Sequence, residues 1–542
     1  MLIDLQQLQD APNLKPDVLI IGAGAVGLSM AVDLVRNGAE VVVLEAGSTS
    51  VEKSSQEFFE AATWNGFPLE GLHVGRLRAL GGTTNAWPGQ LVPFDPIVFE
   101  HRPWVSDQGW LIDREALEPY YEKAFRLLGL QQNQPDEEVW RRLKVPPPDM
   151  GNDLEVFLTR WTPEPRFAVL FREEIEHHPK LHVIVNAPVT GFSLAADECT
   201  VHEVMIPRYN GTEYRIAARN VVLANGTIEI ARLLSMHLAN ASAPPWADNP
   251  WLGRGFTDHV DAYAGDVIPT NAARFHALFD NILLNGLKYS PRIKLTGSAQ
   301  RQKQLLGIAA GFLFNSQYKE ELDRLKILVK ALLRGKIDRR MLAIPARTLP
   351  VARIALPMAA RYLLHHRTYN RADQGIQLRL SSEQVPLRES CLRLRPERDS
   401  LGMPLVDIDW MIDGVELETM AHFCELLVGY FHRENLAYIE LSPKLMARDA
   451  AFLSEIDDGN HQMGMARMAS SPAHGVVDAD LRVFGSNNLY VAGAATFPTT
   501  GFANPTFTAI TLGLRLSDHL AHRQVLPVPE LVTAGAVASE VQ

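Results

Sequence analysis

Three glycines and one carboxylate, Gly22-x-Gly24-x-x-Gly27 with Glu45 roughly 20 residues on, have the spacing that holds a dinucleotide. Gly22 allows a tight turn, Gly24 lets the backbone approach a pyrophosphate, and Gly27 lets a helix pack closely on its strand. The helix entered through this turn, which also contains Ala25, would face two phosphates with its unpaired N–H groups and positive dipole end. Glu45, followed by Ala46, can accept hydrogen bonds from both hydroxyls of an adenosine ribose, and it repels a 2'-phosphate, which argues against NADP. This unit alone leaves FAD and NAD both open.

The chemistry needs elements to position it. Residues 18–21 and 41–44 are short apolar runs that read as buried parallel strands, with an amphipathic helix between them. A second Gly-rich passage follows, Arg78-Ala-Leu-Gly81-Gly82-Thr83-Thr84-Asn85-Ala86-Trp87-Pro88-Gly89, whose backbone can lie against a flat or anionic ligand. Asp113 reads as the N-cap of a helix with Leu117, Tyr120, Tyr121, Ala124 and Leu128 on one apolar side and Gly129 as its stop. Residues 131–153, rich in Pro, Gln, Asn and Asp, read as a long connection. Strands are expected at 181–189 and 221–224, the second running through Ala224, Asn225 and Gly226 into a helix. That places backbone amides at the carboxyl end of a parallel sheet, where such sheets bind ligands.

From 269 to 450 the pattern changes. Ile376, Leu378 and Leu380 alternate with polar residues, as do Leu392 and Leu394, so this region is expected to form a separate antiparallel sheet covering the cofactor domain. Within it, 319–367 is basic and helical. It reads first as an exposed excursion with solvated charges, and second as a contact for a membrane surface or another protein.

Composition narrows the class. The chain has 542 residues, more than one core usually supports, and a net charge of -11, which argues against nucleic acid as the main partner. Three distant cysteines, Cys199, Cys391 and Cys424, suggest neither a disulfide framework nor a metal site. No stretch resembles a transmembrane span, and the first residues lack a secretory pattern, so a cytoplasmic chain is expected.

The carboxyl-terminal stretch contains Asn460-His461-Gln-Met-Gly464-Met-Ala-Arg467-Met468 and, further on, YVAGAATFPTTGFANPTFTAITLGLRL. Taken alone, Asn504 before Pro505 reads as a helix cap, and His461 is one of 17 histidines.

Together with GAGAVG and Glu45, RALGGTTNAW, VVLANGTIEIARLL and NPWLGRGFTDH, these segments resemble the glucose-methanol-choline (GMC) family of FAD-dependent oxidoreductases from end to end. HQMGMARM followed by GFANPTFT is most similar to the pyranose oxidase branch and its bacterial relatives.

The resemblance implies an α/β fold in which a Rossmann-type FAD-binding domain is interleaved with an α+β substrate domain built on an antiparallel sheet. The FAD-binding domain would comprise 1–130, 181–265 and 451–542, the last part carrying the catalytic residues. Residues 131–180 would be a connection and substrate-domain excursion, and 266–450 the substrate domain with its basic excursion.

The resemblance further implies that His461 and Asn504 are the catalytic pair. A neutral imidazole with an ordinary pKa near 6.5 suits proton abstraction from a hydroxyl, while the amide holds the same oxygen. Gly81, Gly82, Thr83, Thr84, Asn85 and Trp87 would line the flavin, with Val189 at the adenine side. Ala224, Asn225 and Gly226, Gly493 and Ala494, and Asn504, Pro505 and Thr506 would complete the cofactor site. Some relatives in the pyranose oxidase branch attach FAD through a histidine immediately before the tryptophan; Ala86 stands there, so FAD is expected to be non-covalent. Pro88, after the tryptophan, offers no hydroxyl where a threonine would.

The expected activity is oxidation of a CH–OH group on a sugar, glycoside or other polyol by hydride transfer to flavin N5. Oxygen, a quinone or a redox protein would be the acceptor, and no metal is expected. A specialised biosynthetic alcohol is the alternative substrate, and a non-catalytic flavin-retaining interaction protein the alternative class.

Overall fold

The computed structural model describes residues 1–9, 12–208, 210–238, 243–318, 361–362, 364–368 and 370–522. The basic excursion expected at 319–367 lies almost wholly outside them. Among the described residues the first layer is a parallel sheet of six strands drawn from both ends of the chain. They are β1 (Leu2–Asp4), β2 (Val18–Ile21), β3 (Val41–Leu44), β4 (Leu181–Val185), β5 (Asn220–Leu223) and β6 (Leu489–Val491), in the order β1-β4-β3-β2-β5-β6. Every residue of β2 and β3 is buried, as continuous apolar runs in a sheet covered on both faces must be. Helix α1 (Ala25–Arg36) links β2 to β3, α2 (Thr227–Leu234) follows β5, and α3 (Pro505–His522) lies against α1. A Cβ on Gly513 would meet Met30 and Val26 side chains at 3.0 Å, so these two helices approach through a glycine.

The second layer is a nine-stranded, antiparallel sheet. Its main path runs Ala437–Leu441, Val260–Pro269, Ile376–Ser382, Ile308–Phe314, Leu287–Leu295, Leu154–Trp161 and Gln90–Leu91. Ile376, Leu378 and Leu380 face a core shared with helix Val415–Arg433, where Phe275, Phe279, Phe312 and Phe431 pack ring against ring. The alternate residues, Gln377, Arg379 and Ser381, point the other way, as a period of two requires.

Several expectations change. Leu392 and Leu394 belong to neither layer: their strand, Cys391–Arg398, pairs with Pro404–Trp410, which pairs in parallel with Thr63–Gly66. Alternation marks a half-buried strand but not its partner. The antiparallel sheet also draws strands from outside 266–450, because cross-strand partners are set by distant register rather than local pattern. The connection at 131–153 contains a helix, Asp136–Leu143, with three acids in its first turn and two arginines in its last. Helix Arg114–Leu127 begins where expected, but the Asp113 side chain makes no capping bond.

Candidate active site

The carboxyl ends of β2, β3, β5 and β6 open onto a cavity of about 810 Å³ that the antiparallel sheet roofs. At its first end the three fingerprint glycines serve three purposes. Gly22 has φ +105°, and a Cβ there would lie 2.6 Å from the Ala224 carbonyl. At Gly24 a Cβ would meet nothing within 4 Å, so its backbone is bare to the cavity. Gly27 does not line the cavity; its Cβ would fall 2.0 Å from the Gly22 carbonyl, which makes it a packing residue.

Glu45 lines the same end. Its Oε2 accepts from the Ala23 N–H at 3.0 Å and its Oε1 from the Gly47 N–H at 2.9 Å. Burial lifts this carboxyl to about 7 in spite of those bonds. Ala25, Ala46 and Val189 are beside it.

The second glycine loop touches the first, since a Cβ on Gly82 would lie 3.0 Å from Gly24 Cα. Gly82, Thr83, Thr84 and Trp87 line the cavity. Gly81 and Asn85 do not. Asn85 Nδ2 instead donates to the Leu80 and Gly82 carbonyls, at 2.9 and 3.0 Å, and so holds the loop in shape. Ala224, Asn225 and Gly226 at the start of α2, and Gly493 and Ala494 after β6, complete the wall.

This end suits FAD. Gly226 and Gly493, like Gly24, have open space where a Cβ would stand, and Asn225 Oδ1 is buried with no hydrogen-bond partner in the protein. Bare backbone amides beside an orphaned acceptor provide for the phosphates and hydroxyls of a dinucleotide.

At the other end His461 and Asn504 face the cavity together, with Pro505 and Thr506 beside them. Asn504 Nδ2 lies 2.9 Å from His461 Nε2. On the far side of the ring, His461 Nδ1 is 3.0 Å from His259 Nδ1. Donation from Asn504 leaves the Nε2 lone pair as acceptor, puts the His461 proton on Nδ1, and leaves the His259 proton on Nε2. The Asp258 carboxylate fixes the chain around this pair, accepting from the backbone N–H groups of His259 at 2.7 Å, His461 at 2.8 Å and Gly459 at 3.1 Å.

Burial, and then His259, pushes His461 down to about 3; burial pushes His259 down to about 4. Both rings are therefore neutral over the ordinary pH range, each lying below the ordinary imidazole value near 6.5. Asp258 is held well above the usual carboxylate range by burial and by Asp458.

No local pattern in the sequence marks His259 or the roof as part of the site. The latter presents Phe157, Thr159, Arg292, Ala309, Arg379 and Ser381 to the cavity. Arg379 and Ser381 were detectable as the polar half of the 376–382 alternation. His259 lies in NPWLGRGFTDH, but its pairing with His461 spans 202 residues.

Residues 386–513, which include His461 and Asn504, match the family model described as GMC oxidoreductase. The chain belongs to the GMC oxidoreductase superfamily. It is an FAD-dependent oxidoreductase of this family. This GMC protein is similar to the fructose dehydrogenase large subunit of Gluconobacter japonicus, 21% identical with 93% of this chain and 98% of that one covered. A cholesterol oxidase of Mycobacterium tuberculosis is 30% identical over 28% of each chain. Among solved structures, pyridoxine 4-oxidase from Mesorbium loti has the same fold, with a TM-score of 0.58, 16% identity, and 94% of this chain and 99% of that chain covered.

Proposed function

We propose that this GMC oxidoreductase oxidises a secondary or primary alcohol of a sugar, glycoside or polyol, with His461 and Asn504 acting directly on the substrate oxygen. The observation that carries the reading is the placing of His461 Nε2 and the Asn504 amide, 2.9 Å apart, at the opposite end of one cavity from Glu45 and the glycine turn. A fructose dehydrogenase relative covering 93% of the chain, and the likeness of HQMGMARM to the pyranose oxidase branch, support a sugar-like substrate.

When bound, FAD supplies the two-electron acceptor. On substrate binding the Asn504 N–H leaves His461 Nε2 for the substrate oxygen, and the freed Nε2 lone pair takes the hydroxyl proton, so that the carbinol C–H can depart as hydride. The Asn504 N–H donates to the same oxygen as negative charge develops on it, and so also fixes which carbon is presented. Nδ1–H remains on His461, donated to His259, so the ring meets the substrate in one tautomer. Burial opposes the imidazolium that forms, while Asp261 favours it.

Ala86 lines the cavity and offers no atom for a covalent bond, which supports non-covalent FAD. Acid precipitation is expected to release all the yellow colour from the protein; colour kept in the pellet would contradict this. The activity is tested by anaerobic mixing of the holoenzyme with sugars, glycosides, polyols and simple alcohols while flavin absorbance is followed. Bleaching by one class is the expected result, and no bleaching by any of them would overturn the reading.

A further inference from the structure

The roof of the cavity carries a charge that the alcohol chemistry does not use. Arg292, on strand Leu287–Leu295, faces the cavity, and among the described residues its guanidinium makes no hydrogen bond and no ion pair. It lies across the backbone of Gly311 on the next strand, where a Cβ would come 1.3 Å from Nη1 and 2.3 Å from Cζ. The seat exists because residue 311 has no side chain.

Gly311 is in register with Arg379, and Arg379 with Tyr263, so the two arginines share one cross-strand row. They are not equivalent. Arg379, at the rim, is paired with Asp261 Oδ2 at 2.5 Å, whereas Arg292 feels the charge of Asp261 without forming an ion pair to it. Asp261 thus offsets Arg379 and leaves Arg292 uncompensated. Arg292 also sits at the reacting end: its register partner Phe157 packs on Phe502 at 5.4 Å, two residues before Asn504.

A half-buried guanidinium that lines a cavity without a partner is held there at some cost, which an apolar side chain in the roof would avoid. Its planar fork matches a carboxylate or phosphate bidentately. One uncompensated positive charge balances a singly charged anion and not a phosphate dianion.

We propose that Arg292, seated on Gly311, binds a carboxylate of the substrate, so that the alcohol oxidised is a hydroxy acid such as a sugar acid or an acidic glycoside. This rests on the alcohol-oxidation reading above.

The test uses FAD-loaded wild type, Arg292→Met and Gly311→Leu. Each is titrated with sodium acetate, sodium benzoate, benzamide and inorganic phosphate, following the flavin difference spectrum. A carboxylate is expected to bind the wild type and to lose on the order of 10²-fold in affinity in both variants, the effect of removing a charge-assisted bidentate pair. Benzamide is expected to bind no better to the wild type than to either variant. Arg292→Met is expected to melt no lower than the wild type, since the residue removed is an unpaired charge. Carboxylate binding that is absent, equal in all three proteins, or weaker than that of phosphate overturns the proposal.

A second arm separates the two readings. A neutral alcohol that reduces the wild-type flavin is expected to reduce Arg292→Met at a similar rate, while D-gluconate and D-glucuronate lose at least 10-fold in kcat/KM, chiefly through KM. Carboxylate binding that depends on Arg292 without flavin reduction by any alcohol would defeat the oxidation reading and leave the site standing. Neutral alcohols oxidised in preference to acids would defeat the site and leave the oxidation.

Discussion

The imidazole of His461 is engaged at both nitrogens, by Asn504 on the cavity side and by His259 behind it. Because burial holds His259 at about 4, below its ordinary 6.5, pH acts on the fold through this residue. Between those values the unfolded chain binds a proton that the folded chain does not. The contribution is therefore fully present above about pH 6.5 and is lost as pH falls toward 4, up to about 3 kcal/mol for one histidine. Urea midpoints measured across this range should fall less steeply for His259→Gln than for the wild type; parallel curves would remove His259 as a source. The sequence pointed to His461 through the motif around it. It could not show the partner behind the ring, because no local pattern joins residues 202 positions apart.

At the scale of elements, the β2–α1 turn was the most legible part of the chain, since a strand, a turn and a helix are fixed by neighbouring residues. The structure adds a division of labour among its glycines. Gly27→Ala forces a Cβ to 2.0 Å from the Gly22 carbonyl, a backbone clash expected to cost at least about 2 kcal/mol and to lower the melting temperature of the protein even without FAD. Gly24→Ala adds a methyl only to open space, so apart from about 1 kcal/mol for losing the glycine N-cap it should leave the FAD-free protein stable and sharply weaken FAD binding. Equal loss of FAD and equal melting in the two variants would contradict this assignment. Asn85 shows the limit of reading such a loop by residue type: an amide next to two glycines resembles a ligand donor, yet it is spent on the Leu80 and Gly82 carbonyls. The roof was less legible still. Alternation at Ile376, Leu378 and Leu380 gave the strand and its buried face, but pairing with Ile308–Phe314 and Val260–Pro269 depends on long-range register.

Across the whole molecule, the cavity exists because the chain crosses repeatedly between two sheets, one parallel and one antiparallel, and leaves the reacting groups where they face each other. The fold is shared with pyridoxine 4-oxidase at 16% identity, so few identical residues are needed to hold this framework. Among the described residues no helix is long and apolar enough to cross a membrane. On the function proposed above, this architecture brings a substrate hydroxyl to His461. The most direct measurement of this is single-turnover flavin reduction, under anaerobic conditions, in the wild type and His461→Ala with an alcohol that bleaches the wild type. Unchanged FAD content and reduction slower by roughly 10²- to 10⁴-fold are expected in the variant. Equal rates in the two proteins would contradict the proposed function.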